Sequence, residues 1–171
     1  MKLVESTHPL LYEPTKEFVF DGSTDPKELS ETMFELMEKH QGVGLSANQI
    51  GLNYKVFVLG HEGYKLTVFN PRIMEESKEQ VIMEEGCLSF PLVIVKVKRP
   101  KSIVAEYQDE TGEKLRINLS GLTARIFLHE YDHMLGITMR QRVSAIKWNV
   151  ANGKKRKIEM KIRRSKNGNS A

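Results

Sequence analysis

The apolar positions of the chain form two helical stretches with a longer run of alternating segments between them. After Pro26, the residues Leu29, Met33, Leu36 and Met37 recur at three- and four-residue spacing, the period of a helix that buries one face. Asp25 is the expected N-cap, with Glu28 three residues on, a capping box in outline, and Pro26 in the first turn. Gly42 and Gly44 stop this helix. Residues 55–59, 65–70, 80–84, 92–98, 102–108 and 114–119 then read as short strands, the second ended by Pro71. Residues 109–112, Asp-Glu-Thr-Gly, are a hairpin turn between the last two. A second helix runs from about residue 121 to 135, with Ser120 as cap and Gly136 as stop. The predicted class is α+β, antiparallel strands packed around one central helix. After residue 146 the pattern changes. Ile158, Met160 and Ile162 alternate as a strand would, while Ile158 and Ile162 also share a helix face, so periodicity selects neither.

Length and composition narrow the class. The 171 residues suit one domain with a hydrophobic core. No apolar stretch approaches the ~18 residues a membrane span requires; the longest, residues 90–95, reads as a buried strand. The N-terminal sequence MKLVESTHPLLYEP lacks the apolar core of a secretory signal, which makes the cytoplasm the expected compartment. A single cysteine, Cys87, excludes an intrachain disulfide. The net charge of +4 is unevenly spread: residues 147–171 hold nine Lys or Arg and one acid, so the tail carries +8 and the rest −4. That asymmetry points to an anionic partner for the tail.

The second helix carries His129-Glu130-Tyr131-Asp132-His133, an H-E-x-x-H pattern. Residues four apart on a helix lie about 40° apart around the axis, so both imidazoles can face one metal ion. Glu130 lies about 80° to one side, within reach of a water on that ion. Asp132 is shorter, lies on the other side, and is given at most a supporting role. Leu122, Ile126, Phe127, Met134 and Leu135 make the helix apolar on most sides, so buried histidines and acids there need partners.

A catalytic metal site holds three protein ligands and one open position. The candidates for the third ligand are Cys87, His8, His40 and His61, and spacing does not select among them. Cys87 in Glu-Gly-Cys-Leu-Ser would supply a thiolate kept ionised by the metal. A bare cysteine is more often core filler. The segment GVGLSANQ, residues 42–49, could lie against an extended peptide and offer the Gln49 amide to an oxyanion. Taken alone it is more readily a tight helix-to-strand turn.

Together, GVGLSANQ, EEGCLSFP and LHEYDHMLG resemble the three ordered motifs of the peptide deformylases, over roughly residues 1–140. The resemblance implies a catalytic domain over residues 1–146 and a basic tail over 147–171. It implies that Cys87, His129 and His133 bind the metal, Fe(II) by expectation with Ni(II), Co(II) or Zn(II) as substitutes. It makes Glu130 the general acid/base and puts Gln49 and the Leu88 N–H at the oxyanion. It assigns Val43, Leu122 and Ile126 to the pocket for a formyl-methionine side chain and Gly44 to the substrate backbone. The implied partners are formyl-methionyl nascent peptides, with no membrane and no DNA. Ribosome docking through a basic C-terminal segment is known in the family; the competing reading of this tail is a solvated end. A general zinc peptidase and a non-catalytic metal-stabilised binding module are the rival functions.

The motifs depart from the family pattern at three places. Ser46 stands where the first alanine of a pair is usual, Leu128 replaces a glutamine before the His-Glu pair, and Met134 replaces a leucine. The Leu128 change is expected to remove one hydrogen bond behind the metal ligands.

Overall fold

The computed structural model describes residues 1–168. Residues 169–171, the end of the predicted tail, lie outside the described range. Helix α1 is Pro26–Lys39, and its first turn is capped by Asp25, whose carboxylate accepts from the Lys27 and Glu28 N–H groups at 2.8 and 3.1 Å. Strands follow as β1 Gly44–Ser46, β2 Val56–His61, β3 Tyr64–Glu76, β4 Gln80–Cys87, β5 Phe90–Pro100, β6 Ser102–Gln108 and β7 Lys114–Ser120. Helix α2 is Gly121–Met134 and α3 is Ala145–Gly168. A five-stranded antiparallel sheet has the order β1-β2-β3-β6-β7, and β4-β5 form a separate hairpin.

Strand β2 explains how the sheet carries a helix on each face. Its four residues Val56 to Leu59 are all fully buried, because alternate side chains meet different layers. Val56 and Val58 pack with Leu29, Met33 and Met37 of α1. Phe57 and Leu59 pack with Ala124, Phe127 and Leu128 of α2. The histidine-bearing helix is thus held in the centre of the molecule, between the sheet and the β4-β5 hairpin.

Two local features fix its ends. Gly136 adopts φ +70°, and a Cβ there would fall 2.7 Å from the backbone of Tyr12 and Glu13, so only glycine lets the N-terminal segment cross the end of α2. Asn48 Nδ2 donates to the carbonyls of Leu10 and His133 at 3.0 and 2.8 Å, tying that crossing to the glycine-rich segment. Ser120 occupies the N-cap position but its hydroxyl makes no capping bond.

Three elements differ from the sequence pattern. Strand β3 continues through Pro71 to Glu76, because the proline sits at a register shift against β6, where its missing N–H costs no ladder bond. The segment 44–46, read as part of a loop, is the short strand β1, too short for alternation to register. The tail is helical over the described residues. The division expected after residue 146 falls within the first turn of α3, and Trp148 and Ala151 pack against Phe90 and the valines of β5. The opening of the helix therefore belongs to the folded body, and the basic run begins beyond it.

Candidate active site

Cys87 ends β4, while His129 and His133 stand one turn apart on α2, and one ligand atom from each lies within 4.8 Å of the others. Cys87 Sγ is 3.4 Å from His133 Nε2. His129 Nδ1 is 2.9 Å from Glu85 Oε2, which leaves Nε2 to face the cluster. The other candidate ligands lie outside the cluster, although His40 lines the cavity beside it. His8 accepts from Leu10 N–H at an N-terminal turn, His61 Nε2 bonds Thr123 Oγ1 at 2.9 Å, and His40 caps the C-terminus of α1.

Gln49 approaches from the turn after β1. Its Nε2 donates to Ser89 Oγ at 3.0 Å and lies 3.4 Å from Cys87 Sγ, while its Oε1 accepts from the Ser46 N–H at 2.9 Å. Leu88 is the first of the two residues that turn β4 into β5. Glu130 is 3 % exposed, and its Oε2 has no hydrogen-bond partner among the described residues. Burial pushes its carboxyl up to about 7 against the pull of His129. A Cβ at Gly44 would fall 2.9 Å from the Glu130 Cδ, so glycine is required for the strand to pass the carboxylate.

A cavity of about 480 Å³ joins these groups. Its wall includes Gln49, Cys87, Leu88, His129 and Glu130 together with the apolar Val43, Leu122 and Ile126 and with Gly44. His133 lies behind the wall and is 1 % exposed.

Beneath the cluster lies a buried ionic network that motif reading missed. Arg99 grips Glu85 with two bonds, 2.7 and 2.9 Å, and reaches Asp132 at 2.7 Å. Arg125 Nη1 adds a third cationic contact to Glu85 at 2.9 Å, and Arg142 holds Asp132 from outside. Burial alone would raise the Glu85 carboxyl, but the His129 and Arg99 bonds overcome it and hold it well below the usual carboxylate range. His129 is therefore oriented by Glu85, while the Leu128 side chain joins the core against the sheet. Arg99 stands in phase with the buried Val93, Val95 and Val97 of β5, which was the available signal that it points inward.

The polypeptide deformylase family model matches residues 1–149. Peptide deformylase 1B, chloroplastic, of Oryza sativa subsp. japonica is 39 % identical over 150 residues, covering 84 % of this chain and 55 % of the rice protein. The peptide deformylase of Thermotoga maritima is 40 % identical over 121 residues, covering 71 % of this chain and 74 % of that protein. This chain thus spans about half the length of the plant relatives it matches. Among solved structures, Arabidopsis thaliana peptide deformylase 1B superposes with a TM-score of 0.82 at 37 % identity, covering 96 % of this chain and 93 % of that one. The Thermotoga maritima structure gives 0.80 at 37 % identity, covering 84 % and 97 %. Among the described residues no helix is long and apolar enough to cross a membrane. Motif order, fold and the Cys-His-His cluster agree with these matches, and the chain belongs to the polypeptide deformylase family.

Proposed function

We propose that the chain is a metal-dependent hydrolase that removes the formyl group from the N-terminal formyl-methionine of nascent polypeptides. The observation that carries this reading is the Cys87, His129 and His133 cluster set against a cavity that Glu130 and Gln49 also line. The donor set suits a catalytic divalent ion: one thiolate and two imidazoles, three protein ligands in all, with the His129 ring already held by a carboxylate. When bound, such an ion supplies Lewis-acid activation of water and of the formyl oxygen. The family resemblance favours Fe(II), with Ni(II), Co(II) or Zn(II) as substitutes.

The chain's own groups complete the chemistry. Glu130, buried and with its carboxyl pushed up to about 7, is suited to take a proton from the attacking water and return it to the departing amine. Gln49 Nε2 and the Leu88 N–H donate to the oxygen on which negative charge develops. Gly44 lies on β1, an edge of the five-stranded sheet, where an extended substrate backbone can pair. Val43, Leu122 and Ile126 give the methionine side chain an apolar wall. For the basic run of α3, contact with ribosomal RNA is the partner reading the charge supports.

The test is formate release from a short formyl-Met peptide by Fe(II)- or Ni(II)-loaded protein under anaerobic conditions, beside an unformylated control. Formate with the control left intact is the expected result. Cleavage of the control would make the protein a peptidase, and no reaction with either would leave a metal-stabilised binding module.

A further inference from the structure

Ser46 is the residue at which the first glycine-rich motif departs from the family pattern, and it is fully buried beside the reacting groups. Its Oγ lies 3.0 Å from Gln49 Oε1 and 2.8 Å from Asn48 Oδ1. Both neighbouring amides are fixed in orientation by other bonds. Asn48 Nδ2 is committed to the carbonyls of Leu10 and His133. Gln49 Oε1 is committed to the Ser46 N–H, at 2.9 Å. The hydroxyl has one proton for three acceptors, the third being the Glu130 carboxylate; donated to Gln49 Oε1, it disfavours a flipped Gln49, whose NH₂ would then meet a donor. A flip would set the Gln49 NH₂ against the Ser46 N–H and bring Oε1 towards Cys87 Sγ and the position of the developing oxyanion.

We propose that Ser46 is a positioning residue that locks the Gln49 carboxamide with its NH₂ towards the metal cluster. The inference rests on the deformylase reading only for its kinetic consequence. The hydroxyl adds a second donor on the far side of the amide, so that Gln49 Nε2 is held for the transition state in advance. Losing that donor removes one of the two bonds from Ser46 to Gln49 Oε1 without removing Gln49 itself.

Ser46→Ala tests this, and alanine is the residue usual at this place in the family motif, so the fold has a precedent for it. With Ni(II)-loaded protein, kcat for formate release falls about five- to tenfold while KM stays within about twofold, the signature of a lost orienting bond. The same substitution has no further effect in a Gln49→Ala background, because the group it positions is gone. Independently of activity, the Gln49 side-chain NH₂ resonances of the diamagnetic Zn(II)-loaded protein shift or broaden in Ser46→Ala. Unmoved resonances, an unchanged kcat, or an equal loss of kcat in both backgrounds would each overturn the proposal. If the wild-type protein releases no formate, the deformylase reading fails. The Gln49 resonances alone then decide the positioning role, moved supporting it and unmoved ending it.

Discussion

Removing Glu85 should cost more stability than removing Arg99, although the two form one ion pair. Arg99 gives Glu85 two bonds, Asp132 one and the Leu128 carbonyl one. In Arg99→Met, Glu85 still has Arg125 and His129, and Asp132 still has Arg142. Neither carboxylate is orphaned, so the cost should lie near the lower end of the roughly 3–5 kcal/mol typical of a broken buried pair. In Glu85→Gln, Arg99 and Arg125 lose their shared carboxylate, and one anion, Asp132, remains to Arg99. His129 Nδ1 also loses its ionised partner. We expect about 4–5 kcal/mol for that variant, a large part of a typical domain's roughly 5–15 kcal/mol. Urea unfolding measures both, once with Zn(II) in fixed excess and once with chelator, since ligand linkage otherwise mixes affinity with intrinsic stability. At a slope near ~2 kcal/mol/M, the Glu85→Gln midpoint should fall by roughly 2 M. Zn(II) affinity should fall about 10- to 100-fold in Glu85→Gln through the lost carboxylate behind His129. An Arg99→Met cost equal to or above that of Glu85→Gln, or a Glu85→Gln cost below about 1 kcal/mol, would refute the reasoning.

The carboxyl of Glu85, ordinarily at 4.5, is lowered in the folded state. Its contribution is therefore fully present above about pH 4.5 and lost as pH falls towards the folded value. Glu85→Gln should flatten the acid limb of the stability–pH curve, and a parallel limb would count against this assignment. Glu130→Gln should retain the metal by elemental analysis and lose turnover by at least about a hundredfold; retained turnover would identify another base. The Fe(II) form should lose activity in air while the Ni(II) form keeps it, and equal decay would argue against oxidation at an iron–thiolate site. Deleting residues 152–171 spares Trp148 and Ala151, so the melting temperature should hold while co-sedimentation with ribosomes at low salt is lost. Intact co-sedimentation would remove the tail from that contact.

The parts of the molecule legible in the sequence were those with strong local rules. Helix α1 was visible because Asp25, Pro26 and an apolar stripe agree on one start and one face. The His129–His133 pair was visible because four-residue spacing on a helix fixes a shared direction. Strand β1 and helix α3 were not legible. Three residues cannot show a period, and the spacing of Ile158, Met160 and Ile162 fits two periods at once. The choice of Cys87 among four candidate ligands needed the motif resemblance, because nothing local to a cysteine reports what lies across the fold from it.

The buried network marks the boundary between the two kinds of information. A charged residue is ordinarily read as a solvated one, and Lys96 and Lys98 on β5 are indeed exposed. Arg99 differs from them only in phase: it continues the inward series of Val93, Val95 and Val97. Periodicity can therefore say that Arg99 is buried, and burial says that it must have anionic partners. It cannot say which. Glu85 is reached across the β4-β5 hairpin and Asp132 on α2, and only the packing of that helix against the hairpin brings both within one guanidinium. The same packing sets His129 on Glu85 and His133 on Cys87. The arginine at the end of the valine series thus ties together the hairpin that supplies the thiolate and the helix that supplies the imidazoles, which is why its loss should be felt at the metal as well as in the core.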